Sequence, residues 1–380
     1  MDTQLNDEQR QVRELCRQFA DSELRPNARR WDVEHQFPAD AVKKLADMGL
    51  LGVAIPAELG GAGMDNVSYA VAMEEISRGC AGTGVIMSVN NSLYCDPVFK
   101  FGTPDQKLDF LIPFARGERL GAFALTEPTS GSDAAEMRTV AVKKGNEYVL
   151  NGTKNFITNG PQADVVLVFA VTDRSKGSKG VSAFLVPGSV KGFTRSKPDE
   201  KVGIRASSSC TLFFEDVVLP ERFRLGGEGE GFKVAMQTLD GGRIGIAAQA
   251  LGIAQAAYEE AVAYAKERKA FGQPITQLQA IQFMLADMAT EIDAARLLVW
   301  RAAWLKDRGV RHSAESAMAK LYASEMCERV TSKAIQVHGG YGYVKEYDVE
   351  RHWRDSRITE IYEGTSEIQR LVIASSVLRG

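Results

Sequence analysis

The spacing of apolar residues divides the chain into three stretches of different period. In the first, Val12, Leu15, Cys16 and Phe19 recur at helical spacing behind a cap-like start at Leu5-Asn-Asp-Glu8, which predicts an amphipathic helix. Further helices are predicted over 39–49, 67–78 and 84–101, with Gly60-Gly61-Ala-Gly63 between them and Gly102-Thr-Pro104 closing the last. Near residue 120 the period shortens. Val140-Ala-Val142, Val165-Val-Leu-Val-Phe169, Val181-Ser-Ala-Phe-Leu-Val186 and Thr211-Leu-Phe-Phe214 are short β-branched or alternating runs, each bounded by Gly, Asn, Asp or Pro. That is the signature of a compact antiparallel β domain. After Gly231 the helical period returns and holds to the end. Ile281, Leu285, Met288, Ile292, Ala295, Val299, Ala302 and Leu305 step by three or four residues, a stripe that a bundle core explains without any cofactor. The expected fold class is α+β. An N-terminal α-helical domain spans 1–120, a middle antiparallel β domain 121–228 and a C-terminal α-helical bundle 229–380.

Composition narrows the function. At 380 residues the chain is too long for one small core, and 44% hydrophobic with 25% charged residues is an ordinary globular balance. A net charge of −3 without a long basic run gives no footprint for nucleic acid. Cys16, Cys80, Cys95, Cys210 and Cys327 form no CxxC pair, and the four histidines are scattered. No metal site is expected, and the cysteines read as buried apolar residues in a reducing compartment. No stretch is apolar for long enough to enter a membrane as a span. Asp2, Asn6, Asp7 and Glu8 at the start are unlike a signal or transit peptide. The expected location is the cytoplasm, or the mitochondrial matrix for a mature, processed chain.

Three segments carry candidate chemistry. In Ile361-Tyr-Glu-Gly-Thr-Ser-Glu-Ile-Gln-Arg370, Ser366 and Gln369 have the spacing of a capping box, so a helix should begin near Thr365 or Ser366. Glu363 then lies on the approach, beside a glycine that lets another molecule come close. The helix N-terminus offers free N–H groups to a carbonyl oxygen or an anion. That arrangement suits proton abstraction from a carbon acid, but these ten residues alone read more readily as a capped helix behind a solvated glutamate. Phe123-Ala-Leu-Thr-Glu-Pro-Thr-Ser-Gly-Ser-Asp133 sits at the junction of the first two regions. It is rich in hydroxyls yet is neither a Walker loop nor a GxGxxG fingerprint, and could equally be a turn-rich linker. In Asn151-Gly-Thr-Lys-Asn-Phe-Ile-Thr-Asn-Gly160, Asn151-Gly152 fits a hairpin turn. Phe156 and Thr158 could there meet a planar ligand.

The order of motifs says more than any one. The junction loop, the second patch, Leu239-Asp-Gly-Gly-Arg243, Arg268-Lys-Ala-Phe-Gly272, Gln336-Val-His-Gly-Gly340 and Tyr362-Glu-Gly-Thr-Ser-Glu367 follow one another. Together they resemble the acyl-CoA dehydrogenase family from end to end, most of all its short-chain (butyryl-CoA) members over Asp240 to Leu378. The resemblance implies a homotetramer with one FAD per subunit. Phe123, Leu125, Thr126, Gly131, Ser132, Phe156, Ile157 and Thr158 would line the isoalloxazine ring and pyrophosphate. Arg268, Gln279 and the segment holding Gln336, Val337, Gly339 and Gly340 would reach FAD from a neighbouring subunit, and Phe271 also belongs to the cofactor set. Thr365, Ser366 and Glu367 would hold its adenosine side. Ser132, Asp240, Arg243 and Gly364 would contact the CoA thioester, and Glu363 would be the base.

The implied reaction is α,β-dehydrogenation of a short-chain acyl-CoA to the trans-2-enoyl-CoA. The α-proton goes to Glu363, the β-hydride to the flavin, and the electrons on to electron-transfer flavoprotein. Such a base calls for a carboxylate in an apolar pocket with its pKa raised toward neutrality. In the family, the base's own backbone N–H and a flavin ribityl hydroxyl hold the thioester oxygen. Isovaleryl- and long-chain-type relatives instead carry the base just before the arginine of the 239–243 motif, where this chain has Gly242. Two departures stand out. Phe156 replaces a tryptophan common in the family, and Cys95-Asp96 replaces Leu-Gly on the helix that would wall the acyl pocket; Asp96 is expected to face solvent, the alternative being that it reshapes substrate choice. The same chemistry on a branched or cyclic short acyl-CoA is one alternative. A non-catalytic flavin- or CoA-binding scaffold is another.

Overall fold

A computed structural model describes residues 4–379. Helix α1 (Asp7–Phe19) starts on a capping box: the Asn6 side chain accepts from the Gln9 N–H at 2.8 Å, and Gln9 returns the bond at 3.0 Å. Its buried face is Gln9, Val12, Cys16 and Phe19, whereas Leu15, predicted on that face, is 49% exposed. A π-helical turn carries α1 into α2 (Arg25–Glu34), and α3 (Ala39–Asp47) follows. Helix α4 (Asn66–Gly79) is buried over nearly its whole length. The predicted helix over 84–101 is one buried rod: α5 (Ala81–Ser88), a π-helical stretch (Val89–Cys95) and α6 (Asp96–Phe101). Short helices α7 (Pro104–Phe110) and α8 (Ile112–Ala115) close the first region.

The middle region is a sheet of β1 (Gly121–Ala124), β2 (Val140–Lys144), β3 (Glu147–Thr158), β4 (Val165–Val171), β5 (Val181–Pro187), β6 (Phe193–Arg195), β7 (Ser209–Pro220) and β8 (Arg224–Leu225). The order is β6-β7-β3-β2-β4-β5-β8, with β1 against β4. Two expectations fail here. The sheet is mixed, because β1 and β2 both run parallel to β4. The chain leaves β1 through a long loop rather than a hairpin, so β2 returns along the same edge of β4 in the same direction. Asn151-Gly152 is no turn either. Both residues lie inside β3, where the register against β7 slips between Leu150 and Gly152. A Cβ at Gly152 would overlap Thr139, so the glycine serves a bulge. The hairpin turn is Gly145-Asn146, with Lys144 paired to Glu147.

The last region is built on α9 (Gly231–Glu267), whose 37 residues form a rod of about 55 Å. It packs along α4, α10 (Gln279–Asp307) and α11 (Ser313–His338). The seam is rich in alanine, including Ala247, Ala250, Ala254, Ala319 and Ala323, which lets the axes approach closely. At Gly252 a Cβ would overlap the Glu74 carbonyl of α4. The small hairpin β9 (Lys269–Ala270) and β10 (Gln273–Pro274) turns the chain into α10. Helices α12 (Val349–Ser356) and α13 (Ser366–Arg379) complete the bundle. All five cysteines are buried and unpaired, and among the described residues no helix is long and apolar enough to cross a membrane.

Candidate active site

A cavity of about 310 Å3 opens where the three regions meet. The helical domain contributes Val85, Val89 and Leu93, and the junction loop Phe123, Leu125, Thr126, Gly131 and Ser132. The end of β3 adds Phe156, Ile157 and Thr158; α9 adds Met236, Leu239 and Arg243; the last turn adds Tyr362, Glu363 and Gly364.

Glu363 sits on a left-handed backbone, φ +52°, and Gly364 follows at φ +97°. A non-glycine residue in that region is held there by its surroundings. Here the clamps fall on the next carbonyl. Gly364 O accepts from Lys320 Nζ and from Gln369 Nε2, each at 2.7 Å, and Gln369 also reaches Glu363 O at 3.3 Å. The expected capping box at Ser366 and Gln369 therefore does not form. Ser366 is the first helical residue and its Oγ is buried without a partner. The N-terminal hydroxyl contact comes from Thr365, whose Oγ1 accepts from the Ile368 N–H at 3.4 Å. Gln369 is turned instead toward two backbone carbonyls, giving its amide to Gly364 O beside Lys320 and to Glu363 O. Tyr362 anchors the other side, its Oη donating to Gln249 Oε1.

The Glu363 carboxylate has a buried Oε2 with no hydrogen-bond partner. Burial raises its pKa to about 7, against the pull of Lys320 and Arg243. Gly242 faces it directly: a Cβ there would overlap Glu363 Oε2 and lie 2.8 Å from Leu93 Cδ2. Among the described residues none accepts a hydrogen bond from the Glu363 N–H, so that donor is available to a ligand. Arg243 is buried and gives Nη1 to Asp240 Oδ1 at 2.6 Å, while its Nε has no partner. Asp240 lies behind the wall and is itself held by Ser313 Oγ at 2.5 Å.

The remaining predicted residues lie elsewhere. Arg268, Val337, Gly339 and Gly340 line a separate open groove of about 980 Å3, where the C-terminal ends of α9 and α11 come together. Arg268 stands over the Tyr341 ring at 5.4 Å. Phe271 is 91% exposed on the hairpin between β9 and β10, and Gln279 and Gln336 are exposed at the start of α10 and near the end of α11. Thr365 and Glu367 flank the start of α13.

Three family models cover the chain in order: the N-terminal domain of acyl-CoA dehydrogenase over 6–118, the middle domain over 122–217 and the C-terminal domain over 229–378. The chain belongs to the acyl-CoA dehydrogenase family. It is 58% identical to the short-chain specific mitochondrial acyl-CoA dehydrogenase of Bos taurus over 368 residues, 97% of this chain and 89% of that protein. The butyryl-CoA dehydrogenase of Megasphaera elsdenii superposes on it with a TM-score of 0.98 at 45% identity, covering 100% of both chains. A chain from a structural study of the electron transferring flavoprotein of Acidaminococcus fermentans and flavin-based electron bifurcation matches with a TM-score of 0.99 at 47% identity, again over 100% of both.

Acyl-CoA dehydrogenases are FAD-dependent oxidoreductases of fatty acid β-oxidation, and this chain is one of them. The cavity residues of the dehydrogenase fit a flavin. Phe156 holds an apolar ring 67% exposed at φ +58°, and nothing stands within 4 Å of a Cβ built on Gly131. A flat aromatic ligand would cover the first and use the space beside the second.

Two features of the dehydrogenase escaped the sequence. Lys154 and Glu127 form a fully buried ion pair at 2.8 Å between β3 and the junction loop. Glu127 also accepts from the Arg138 and Thr139 N–H groups, and Lys154 donates to Leu125 O. The pair thus stitches the two polar patches together; burial lowers the lysine to about 8 against the pull of Glu127. Both residues stand inside the singled-out motifs, but nothing local marks them as buried. Asp96, expected in solvent, is only 14% exposed and lies 2.8 Å from Lys100 and 3.4 Å from Lys306. Burial alone would raise its pKa, but the two lysines outweigh it and hold the carboxylate below its usual range.

Proposed function

We propose that the chain converts a short-chain acyl-CoA to the trans-2-enoyl-CoA, with Glu363 taking the α-proton. The observation that carries this is the buried, unpartnered Glu363 Oε2, poised near neutrality on a clamped turn that faces the cavity. Ionised, it can accept a proton from carbon; desolvation makes it a stronger base than a carboxylate in water. The thioester oxygen would lie against the Glu363 N–H, which offers a fixed donor where enolate charge develops. Arg243, Gly364 and Ser132 would orient the thioester, with Asp240 steadying Arg243. Leu93, Val89 and Leu239 would wall the acyl group and exclude water. Bound FAD supplies the acceptor for the β-hydride. Phe123, Leu125, Thr126, Gly131, Ser132, Phe156, Ile157 and Thr158 would hold its ring and pyrophosphate, and Thr365, Ser366 and Glu367 its adenosine side.

Short-chain preference is supported by the likeness to the bovine and Megasphaera enzymes. The match to the Acidaminococcus structure supports electron-transfer flavoprotein as the electron acceptor. The division at 1–120, 121–228 and 229–380 goes with this reading, as does a location in the cytoplasm or a mitochondrial matrix. The test is direct. Purified holoenzyme should be yellow and bleach within the mixing time when butyryl-CoA is added without oxygen. A flavin-loaded protein that no short acyl-CoA bleaches would sink the reading.

The distant groove belongs to the same reading. Arg268, Gln279, Gln336, Val337, Gly339 and Gly340 would serve the FAD of a neighbouring subunit in a homotetramer, with exposed Phe271 beside them. Arg268→Ala should then lower FAD retention and loosen the tetramer together, because cofactor phosphate loses its charge partner. Gel filtration that follows protein and flavin absorbance together checks both. A fully flavinated, unaltered tetramer would contradict the placement.

A further inference from the structure

Lys320 contributes nothing to the cavity wall, yet its buried ammonium reaches the turn that carries Glu363. It extends from α11 and donates to Gly364 O at 2.7 Å. The same carbonyl already receives the Gln369 amide at 2.7 Å, so satisfying that oxygen does not require a lysine. Burying an ammonium is costly, and a neutral donor would hold the carbonyl without that cost. What the lysine adds is charge. Resting on the reading of Glu363 as the base, we propose that Lys320 is a positioning residue. It fixes the left-handed turn through Gly364 and, by its charge, keeps the neighbouring carboxylate ionised under working conditions.

The electrostatics agree with the geometry. Burial raises the Glu363 pKa, and Lys320 is the strongest of the influences opposing it, ahead of Arg243. Burial in turn lowers the Lys320 pKa to about 8, with Glu363 the strongest influence pulling it back up. The other titratable groups near the carboxylate are the buried Tyr69 hydroxyl on α4 and Tyr362 beside it, while Asp240 stands behind Arg243 on α9 and pairs with it. Glu360 and Glu367 act on Lys320 from the flanks. Removing the lysine charge leaves burial opposed by Arg243 alone. The protonated, incompetent form of Glu363 then persists to higher pH.

Two variants separate the roles. Lys320→Gln keeps a donor for Gly364 O and removes the charge; Lys320→Met removes both. In flavinated holoenzyme, flavin reduction by butyryl-CoA is followed by stopped flow across pH. For Lys320→Gln the acidic limb should move up by about one unit, a loss of roughly tenfold at low pH that vanishes on the alkaline side. Lys320→Met should show the same displacement and, in addition, a lower plateau that pH does not restore. Gln369→Leu, which loosens the turn but leaves the charge, should lower the plateau without moving the limb. An unmoved limb in both Lys320 variants overturns the proposal. So does failure of both to fold with flavin, which would make the lysine structural. A near wild-type rate in Glu363→Gln at any pH would instead overturn the assignment of the base, a separate result.

Discussion

Glu363→Gln yields a folded, flavin-loaded dehydrogenase whose reduction by butyryl-CoA is slower by several orders of magnitude. The amide matches the carboxylate in shape but cannot accept a proton from carbon at neutral pH. The same substitution should stabilise the protein. Because burial holds the folded carboxylate at about 7, well above its unfolded value, wild-type stability falls as pH rises from the unfolded pKa through 7. The glutamine variant has no such loss. Its melting temperature should match wild type near pH 5 and exceed it by a few degrees at pH 8, for a difference of roughly 1–3 kcal/mol. Thermal scans at the two pH values, beside stopped-flow reduction, check both halves. A variant that reduces its flavin at near wild-type rate would remove Glu363 from the mechanism.

The second large effect comes from moving the base. Glu363→Gly should be nearly inactive yet well folded, because glycine adopts φ +52° without strain. Gly242→Glu alone should damage the site: its Cβ would overlap Glu363 Oε2 and press on Leu93. In the double variant the first clash is gone and the new carboxylate enters the same space from α9. Part of the activity should return. A misplacement of about 1 Å can leave it roughly a hundredfold short. Since the new side chain sits against Leu93, the preferred acyl length should shift as well. Rates across an acyl-CoA series, with flavin content checked first, decide this. No recovery at any length in a flavinated double variant would show that position 242 does not address the reacting carbon.

How much of this was legible depends on the range of the forces involved. Helices and strands followed from period, since the stripe through Met288, Ile292, Ala295 and Val299 must bury one side wherever it packs. The start of α13 was placed near Thr365 or Ser366 from capping-box spacing, and the helix begins at Ser366 although the box itself does not form. Strand direction was not, because parallel pairing of β1 and β2 with β4 depends on the path of the connections. Asn151-Gly152 misled because its composition suits a hairpin, whereas contact with Thr139 makes it a bulge. Ser366 and Gln369 had the spacing of a box, but Gln369 acts as a donor, giving its amide to the Glu363 and Gly364 carbonyls. Leu15 satisfied the helical period and still faced outward. Lys154, Glu127, Lys320 and Asp96 look like surface charges in sequence; only tertiary packing buries them. Motifs that stand far apart in the sequence gather at two openings, and no local pattern says which residue goes to which.

Helix α9 joins those two openings. From Gly242 to Arg268 it advances about 39 Å as one uninterrupted rod. On the reading that Arg268 serves a neighbour, every reacting centre is a hybrid, with its base from one chain and a cofactor anchor from another. A chain lacking the anchor and a chain lacking the base would then each be defective alone. Side by side in one assembly they would generate one centre with both parts and one with neither. Two different mutant alleles of this gene could therefore mend each other, while two copies of either could not.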